Sequence, residues 1–352
     1  MKYKKLKFID LFAGIGGFHE ATKHSDLKLK FQLTGFCELD NQAASLYKEV
    51  HNIENSMYIQ DVKQISTKVE KGNNKVEIPD FDVLFGGFPC QSFSNAGRRL
   101  GLNDERGKLF YDILDILDTY SPPFFILENV QKLSTINGGD LLKEMIEALE
   151  NSGVAGYHVH TFDLKASKYG LPQQRRRLFF CGICKDKVNS KLNIENPTEI
   201  PSEEWQYPTT WHLLEKNAEQ VHFIPTKTRE TVLKKNPKWA GNLDIDNLIA
   251  RPLTASMSKW HRANQDNYFS NTFINSDNPF DIPQFNMELE PIRRITPLEG
   301  FRLQGFPDIF AEKAKNIKLS YSTQYRLIGN AVPVNLAKSV IDHFFNAYYE
   351  YI

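Results

Sequence analysis

Residues 81–94 read FDVLFGGFPCQSFS, a pattern typical of a buried strand that runs into a stiff loop. The first five residues are apolar or aromatic except for one acidic residue, which predicts a strand. The glycine pair at 86–87 allows a sharp turn. Pro89 fixes its own φ and favours an extended conformation before it. Cys90 is therefore predicted to lie on a rigid loop at the carboxyl end of a strand.

The position of Cys90 allows two interpretations. Ligands bind at the carboxyl edge of an open parallel sheet, so a thiol there is a candidate nucleophile. The alternative is a buried structural cysteine, which is the more common fate of a lone Cys. This stretch alone leaves both open.

A second strand and glycine turn lie near the N-terminus. Residues 8–12 predict a strand, 13–18 (AGIGGF) a glycine turn, and about 16–24 a helix. A further strand, 31–37, ends at Glu38, where an acidic residue about 20 positions after the glycines can accept hydrogen bonds from ribose hydroxyls. No lysine follows the glycines, as it would in a P-loop. The pattern predicts a pocket for a nucleoside-like ligand without a phosphate chain.

Two acidic residues near this turn have alternative roles. Glu38 can also be a helix-start residue beside Asp40, which can cap a helix that runs to about His51; both roles can hold together. Asp61 follows the extended stretch 56–60 and could reach an adenine amino group or simply face solvent.

The alternation of strands and helices continues to about residue 184. Strand 124–127 ends in ENV, so Glu128 shares an edge with Cys90 if their strands are parallel. Strands 157–164 and 177–184 flank three adjacent arginines, 175–177, which are hard to explain by packing and predict contacts to phosphates or bases. Cys181 and Cys184 would face opposite sides of a strand, and no second cysteine pair exists, so no metal is expected.

The composition restricts the class of protein. The chain has 352 residues, 41% hydrophobic and 24% charged, which is typical of a soluble globular protein. No apolar run approaches the ~20 residues that span a bilayer. Four cysteines are too few for a disulfide framework, so we expect a reducing compartment. The net charge of zero argues against coating of nucleic acid through bulk charge but allows a local basic cleft.

From about residue 195 the alternation stops, and a smaller domain of short strands and loops is predicted. Residues 251–269 (RPLTASMSKWHRANQDNYF) contain side chains of the types that read base edges and phosphates: Lys259, Arg262, Asn264, Gln265 and Asn267. A long polar loop has the same composition. Further on, a helix is predicted at 298–304, a turn at Gly329-Asn330, and a last helix after Pro333.

Several of these segments, in this order, resemble the motifs of the DNA (cytosine-5)-methyltransferases: DLFAGIGGF, Glu38, GGFPCQSFS, ENV, QQRRRLFF, RRITPLEGFRLQGFP and LIGNAVPVN. The resemblance covers the chain except about 190–290, where that family carries its variable target-recognition region. It implies an α/β fold, a doubly wound and mostly parallel sheet of the S-adenosylmethionine-dependent type, with a smaller, irregular β-rich domain. The implied division is 1–190 catalytic, 191–290 target recognition, 291–322 hinge, and 323–352 returning to the catalytic domain.

The resemblance also implies roles for individual residues. The catalytic set would be Cys90 as nucleophile with Glu128, Arg175 and Arg177. S-adenosylmethionine, which leaves as S-adenosylhomocysteine, would be held by Phe12, Gly14, Gly16, Gly17, Glu38, Leu39, Asp61, Val62, Pro89, Leu109 and Asn330. DNA would be contacted by Gln91, Ser94, Arg98, Arg106, Thr254, Lys259 and Arg262.

The implied reaction is methylation of C5 of a cytosine flipped out of duplex DNA. A Cys90 thiolate adds to C6, and Glu128 protonates N3, for which burial of the carboxyl is favourable. The loop 94–107 is the candidate for closing behind the extruded base. The partners would be double-stranded DNA and a restriction endonuclease acting with a monomeric enzyme in the cytoplasm. The rival predictions are an RNA cytosine-5 methyltransferase and an inactive DNA-binding homologue.

Overall fold

The computed structural model describes residues 4–68, 75–89, 108–233, 244–284, 286 and 289–352. Within these ranges the strands are β1 (Lys4–Leu11), β2 (Leu29–Cys37), β3 (Tyr58–Ile59), β4 (Val83–Gly87), β5 (Phe124–Val130), β6 (Tyr157–Lys165), β7 (Arg176–Cys184), β8 (Tyr268–Ser270) and β9 (Ile292–Arg294). The α-helices are α1 (Gly17–Lys23), α2 (Asn41–His51), α3 (Lys108–Tyr120), α4 (Asp140–Asn151), α5 (Thr226–Leu233), α6 (Asn271–Ile274), α7 (Pro297–Leu303), α8 (Ile309–Asn316), α9 (Tyr321–Asn330) and α10 (Val334–Ala347). Short 3-10 helices connect many of them.

Strands β1 to β7 form one mostly parallel sheet, in the order β3-β2-β1-β4-β5-β7-β6. The pairs β1–β2, β1–β4, β2–β3 and β4–β5 are parallel, and β5–β7 is antiparallel. The predicted α/β fold is confirmed. The β4–β5 pairing also places the ends of these two strands at one edge, as the sequence predicted.

The central strands are apolar on both sides because both faces of the sheet are covered. In β4, Val83, Leu84 and Phe85 have no exposed surface, as expected for a strand inside a parallel sheet. The ring of Phe124, at the start of β5, packs edge-on against Phe345 of α10 at 5.1 Å. The C-terminal helix therefore covers part of one face.

Capping residues define two of the helix starts. Asp40 accepts hydrogen bonds from the backbone N–H groups of Gln42 and Ala43 at the start of α2, so its predicted capping role is confirmed. At α7, Thr296 and Glu299 form a reciprocal capping box with proline at the first helical position. The helix predicted at 298–304 is therefore confirmed and begins one residue earlier.

The predicted turn at Gly329-Asn330 is wrong, because both residues belong to the last turn of α9. Gly329 is required there by packing and not by a turn. A Cβ at this position would lie 2.3 Å from the carbonyl carbon of Thr254 and 2.3 Å from the N atom of Ala255. A sequence pattern of Gly-Asn followed by Pro cannot reveal this contact, which is remote in the chain.

The chain divides into two compact units. The first comprises Met1–Leu164, Arg176–Thr198 and Leu336–Ile352, and the second Lys165–Arg175 and Glu199–Asn335. The second unit contains the antiparallel pair β8–β9 and a small core of Ile224, Val232, Ala263, Tyr268 and Ile292. Within the described ranges we find no helix with the length and apolarity to cross a bilayer. The predicted assignment of 191–290 to target recognition stays a prediction.

Candidate active site

The turn after β1 has a backbone that glycine makes accessible. Phe12, Gly14 and Gly16 have φ values of 52°, 56° and 92°, in the left-handed region where a side chain is strained. A Cβ at Gly14 would meet no described atom within 4 Å, whereas one at Gly16 would lie 2.5 Å from Nε2 of His51. Gly14 therefore borders open space, and Gly16 packs against α2. Gly17 begins α1.

Glu38 links the turn after β1 to the turn after β2. Its Oε2 accepts a hydrogen bond from the N–H of Gly14 at 2.7 Å, and its Oε1 accepts from the N–H of Asp40 at 2.8 Å. These bonds hold the carboxylate at the carboxyl edge of the sheet. Leu39, beside it, is 66% exposed, so an apolar side chain borders the same turn.

Asp10 lies beneath this turn, and the sequence analysis did not select it. It is 1% exposed, and burial, together with the nearby Glu38, raises its pKa well above the usual range. Oδ2 is 3.5 Å from the hydroxyl of Tyr47, while Oδ1 has no hydrogen-bond partner among the described residues. A buried polar atom without a partner is unusual in a native protein and indicates a ligand or a water. The acidic residue inside an otherwise apolar strand was the signal.

Three further predicted cofactor residues line the next part of the edge. Asp61 caps the 3-10 helix at 62–64, with Oδ1 accepting from the N–H of Lys63 at 3.0 Å. Val62 is buried at 5% exposure. Leu109, in the first turn of α3, is half-buried and packs against the same apolar cluster as Val62. Asp61 therefore has a local structural role, as the cap of this 3-10 helix.

The loop that leads to Cys90 is held by Asn129, which the sequence analysis assigned no role. Asn129 is 1% exposed, its Nδ2 donates to the carbonyl of Phe88 at 3.1 Å, and its Oδ1 accepts from the N–H of Val130 at 2.8 Å. Gly87 pairs with Glu128 across β4 and β5. Pro89 is the last residue described before a gap. Cys90, Gln91, Ser94, Arg98, Arg106 and the loop 94–107 lie outside the described residues.

Glu128 and Arg177 form an ion pair on the same side of the sheet. Nε of Arg177 lies 2.6 Å from Oε1 of Glu128, and the two side chains are 13% and 9% exposed. The antiparallel pairing places Arg177 opposite Val130, diagonally adjacent to Glu128. A charge-assisted bond with little access to water fixes the orientation of the carboxylate.

The three adjacent arginines have three different environments. Arg176 is exposed and pairs with Asp163, at 2.7 Å between Nη2 and Oδ2. Arg175 is 2% exposed, and its guanidinium donates to three backbone carbonyls, those of Leu253, Gly329 and Ala331, at 2.9 to 3.0 Å. Arg177 contacts Glu128. The sequence analysis made one prediction for all three arginines, contact with phosphates or bases, and did not distinguish these three environments.

The second unit presents the predicted DNA contacts on a segment that contains the short 3-10 helix Met257–Lys259. Thr254 and Lys259 are exposed and Arg262 is half-buried. Asn267, predicted to read bases or phosphates, is 1% exposed and binds the N–H and C=O of Arg251 at 2.8 and 3.1 Å. That prediction is wrong for Asn267, since its amide is used inside the unit. Asn330, predicted to bind the cofactor, is exposed at the end of α9.

Residues 6–346 match the family described as C-5 cytosine-specific DNA methylase. This chain belongs to that family. The methylase is 33% identical to the type II methyltransferase M1.ScrFI of Lactococcus lactis subsp. cremoris, over 95% of this chain and 76% of that protein. It is 32% identical to M.HpaII of Haemophilus parainfluenzae, over 94% and 87%, and 31% identical to M.HaeII of Haemophilus aegyptius, over 98% and 94%.

Solved structures share the fold of the methylase. The Entamoeba histolytica methyltransferase EhMeth superposes with a TM-score of 0.73 at 20% identity, over 98% of this chain and 99% of that one. The S. pombe Dnmt2 methyltransferase gives 0.69 at 19% identity, over 97% and 99%. The family and the curated relatives make the methylase a DNA (cytosine-5)-methyltransferase, as the sequence motifs predicted.

No cluster of three or more His, Cys, Asp or Glu side chains suited to a metal ion occurs in the part of the methylase that the structure describes. The residues at the sheet edge instead fit a nucleoside with a charged tail. They offer a glycine turn that borders open space, a carboxylate fixed on backbone N–H groups, and the buried oxygen of Asp10. Methyltransferases of this family use S-adenosylmethionine, which has both parts.

Proposed function

We propose that the methylase transfers a methyl group from S-adenosylmethionine to C5 of a cytosine flipped out of duplex DNA, through a covalent bond between Cys90 and C6. The observation that carries the proposal is the parallel pairing of β4 and β5, with Gly87 opposite Glu128. Cys90 follows Gly87 by three residues, and Asn129 holds the intervening carbonyl of Phe88. This supports a thiol close to the Glu128–Arg177 pair.

The proposed cofactor site is the edge formed by the turns after β1, β2 and β3. Glu38 would accept hydrogen bonds from the ribose, and Asp61 would reach the adenine. In the turn formed by Phe12, Gly14 and Gly16, it is Gly14 that would leave room for the ligand. Leu39, Val62, Pro89, Leu109 and Asn330 would complete the lining. Asp10 Oδ1 would accept a hydrogen bond from the ammonium group. S-adenosylmethionine supplies an electrophilic methyl group when bound and would leave as S-adenosylhomocysteine.

The chemistry assigned to the protein begins with Cys90. Its thiolate forms a bond to C6, and the displaced electron pair is taken up toward N3, which gains a proton from Glu128. C5 then becomes an enamine carbon and accepts the methyl group. A base removes the C5 proton, the S–C6 bond breaks, and the C5=C6 double bond forms again as N3 returns its proton. Free cysteine has a pKa of roughly 8.5 and a strongly nucleophilic thiolate, which suits it to this role.

The ion pair of Glu128 and Arg177 serves the protonation step. The guanidinium of Arg177 holds the carboxyl group of Glu128 in one orientation. It also stabilises the carboxylate once the proton has moved to N3. A preorganised donor or acceptor of this kind contributes typically 10²- to 10⁴-fold to rate. Because Arg177 contacts Glu128 directly, we place Arg177 in the base-holding role.

The proposal is tested with purified protein, labelled S-adenosylmethionine and three substrates: unmethylated duplex DNA, the same sequence as single strands, and tRNA. We expect methyl incorporation into duplex DNA alone, located at C5 of cytosine by bisulfite sequencing. Incorporation into tRNA alone would assign the enzyme to RNA. Tight DNA binding without incorporation into any substrate would identify an inactive homologue. Cytoplasmic location, monomeric state and pairing with an endonuclease remain predictions.

A further inference from the structure

Arg175 joins two distant segments of the second unit. Nη1 donates to the carbonyl of Leu253 at 2.9 Å, and Nη2 donates to the carbonyls of Gly329 at 3.0 Å and Ala331 at 2.9 Å. Two of these acceptors flank Asn330 in the chain, and the third precedes Thr254. One buried guanidinium therefore fixes the backbone on both sides of Asn330 and directly before Thr254.

Gln173 completes the attachment of the segment that carries Thr254. Its Oε1 accepts from the N–H of Leu253 at 3.0 Å, and its Nε2 donates to the carbonyl of Leu303 at 2.8 Å. Leu253 thus has its N–H bound by Gln173 and its C=O bound by Arg175. Gln174 donates its backbone N–H to Ala250 at 2.8 Å, so the two chain segments lie side by side.

The hydrogen bonds from Gln173 and Arg175 to Leu253 determine which side chains of this segment point outward. Leu253 is 3% exposed, while Pro252 and Thr254, its neighbours, are exposed. Alternation of this kind is that of a strand, although the segment belongs to no sheet. The side chains of Gln173 and Arg175 make the hydrogen bonds to Leu253 that a neighbouring strand would make. They thereby fix the backbone directly before Thr254.

The end of α9 contacts the same segment directly. The Cα of Gly329 lies so close to the Thr254–Ala255 peptide that an added Cβ would be 2.3 Å from it. A displacement of the α9 end therefore has to move Thr254, or the contact breaks. The three hydrogen bonds from Arg175 to carbonyls, together with this contact, hold the α9 end and residues 253–255 rigidly against each other.

We propose that Arg175 is a positioning residue that couples cofactor binding to DNA binding, by fixing Asn330 and Thr254 in one rigid junction. This rests on the proposed function, in which Asn330 contacts the cofactor, and on the predicted contact of Thr254 with DNA. A ligand that displaces the α9 end also displaces residues 253–255, so binding of the first ligand changes the affinity for the second. The same factor then acts in both directions.

A lysine cannot replace this arginine, because an ammonium is a compact charge and does not have the planar fork that reaches three carbonyls on two sides. Arg175→Lys keeps the charge and removes the simultaneous contacts. Gly329→Ala disrupts the direct contact between the α9 end and the Thr254–Ala255 peptide and keeps the arginine at 175. Arg176→Ala is the matched control, since Arg176 is adjacent and exposed, and pairs with Asp163.

The experiment measures the affinity of S-adenosylhomocysteine by calorimetry, for the free protein and for the protein saturated with a duplex oligonucleotide that it methylates. The ratio of the two dissociation constants is the coupling factor, for which about 5 to 150 is usual. We expect parent and Arg176→Ala to share one factor in that range. Arg175→Lys and Gly329→Ala should each reduce it to near one, and thermal melts identify any variant that fails to fold.

Two outcomes would overturn the inference. A parent factor of one would show that the two sites are independent, and an unchanged factor in both folded variants would show that the junction does not carry the coupling. If one of the two variants, Arg175→Lys or Gly329→Ala, does not fold, the coupling factor of the other variant decides the test. The failure of the proposed function looks different, because the parent would then transfer no methyl group to any duplex.

Discussion

Nε of Arg177 lies 2.6 Å from Oε1 of Glu128, across the antiparallel strands β5 and β7, in a site where both side chains are largely shielded from water. The pair lies at the edge where β4 ends, close in the sheet register to the segment that leads to Cys90. An ion pair buried for stability alone is often no better than an apolar pair. Its position at the sheet edge therefore favours a catalytic reason for it.

Glu128 and Arg177 should act as one unit. We expect Glu128→Gln to slow single-turnover methyl transfer by about 10²- to 10⁴-fold, because the proton donor is lost. Arg177→Ala should slow it by less, and the double variant should be little worse than Glu128→Gln, since residues that act together are not additive. Rapid-quench kinetics on duplex DNA measure this, with Arg176→Ala as the control. Additive losses would assign the two side chains independent roles.

Asn129→Ala should damage the chemical step through the loop that carries Cys90. The carbonyl of Phe88 loses its donor, and a buried unsatisfied group costs about 1–3 kcal/mol. We expect the single-turnover rate to fall at least tenfold. The affinity for S-adenosylhomocysteine should fall by less, because Asn129 is remote from Glu38 along the sheet order and reaches the proposed cofactor lining only through Pro89 of the same loop. Equal losses in rate and cofactor affinity would contradict this positioning role.

Two glycines of one turn should respond differently to alanine. Gly14 borders open space, so Gly14→Ala should destabilise by about 1–2 kcal/mol through backbone strain alone and should place a methyl group where the cofactor binds. Gly16→Ala adds a contact of 2.5 Å to His51 Nε2 and should be the more destabilising. Urea unfolding and S-adenosylhomocysteine binding measure the two effects. Unimpaired binding in Gly14→Ala would remove the turn from the cofactor site.

Asp266 should make the second unit sensitive to pH. Burial raises its pKa from 3.8 to about 6, so the folded state keeps this carboxyl neutral where the unfolded state ionises it. The free energy of unfolding of the parent therefore falls as the pH rises from about 4 to 6 and stays at the lower value above pH 6. The total loss is at most ~3 kcal/mol. Asp266→Asn cannot ionise. We expect its stability relative to the parent to rise between pH 4.5 and 7, in urea titrations at each pH; a constant difference would contradict the assignment.

The sheet was predictable because its signals are local. Apolar runs such as 83–85 define strands, and Asp40 caps the helix that follows it by contacts with its own neighbours. What the sequence could not show depends on residues far apart in the chain. Arg175 and Arg177 are equivalent in the sequence, yet one binds carbonyls at 253, 329 and 331 and the other binds Glu128.

Asn267 and Gly329 illustrate the same limit. An asparagine in a polar stretch predicts an exposed donor, but Asn267 is needed to satisfy the backbone of Arg251. A glycine before asparagine predicts a turn, but Gly329 lies in a helix. The residue is glycine because the Thr254–Ala255 peptide packs against it and leaves no room for a Cβ. In both cases the tertiary contact, and not the local preference, decides the role of the residue.

The most direct test of the central claim uses a duplex in which 5-fluorocytosine replaces cytosine at the target position. Fluorine at C5 cannot leave as a proton, so an enzyme that bonds to C6 and methylates C5 stays attached. With S-adenosylmethionine present, we predict a denaturation-resistant adduct with the mass of protein plus methylated strand for the parent and none for Cys90→Ser. Full methyl transfer to normal duplex DNA by Cys90→Ser, or an adduct located at another residue, would contradict the account.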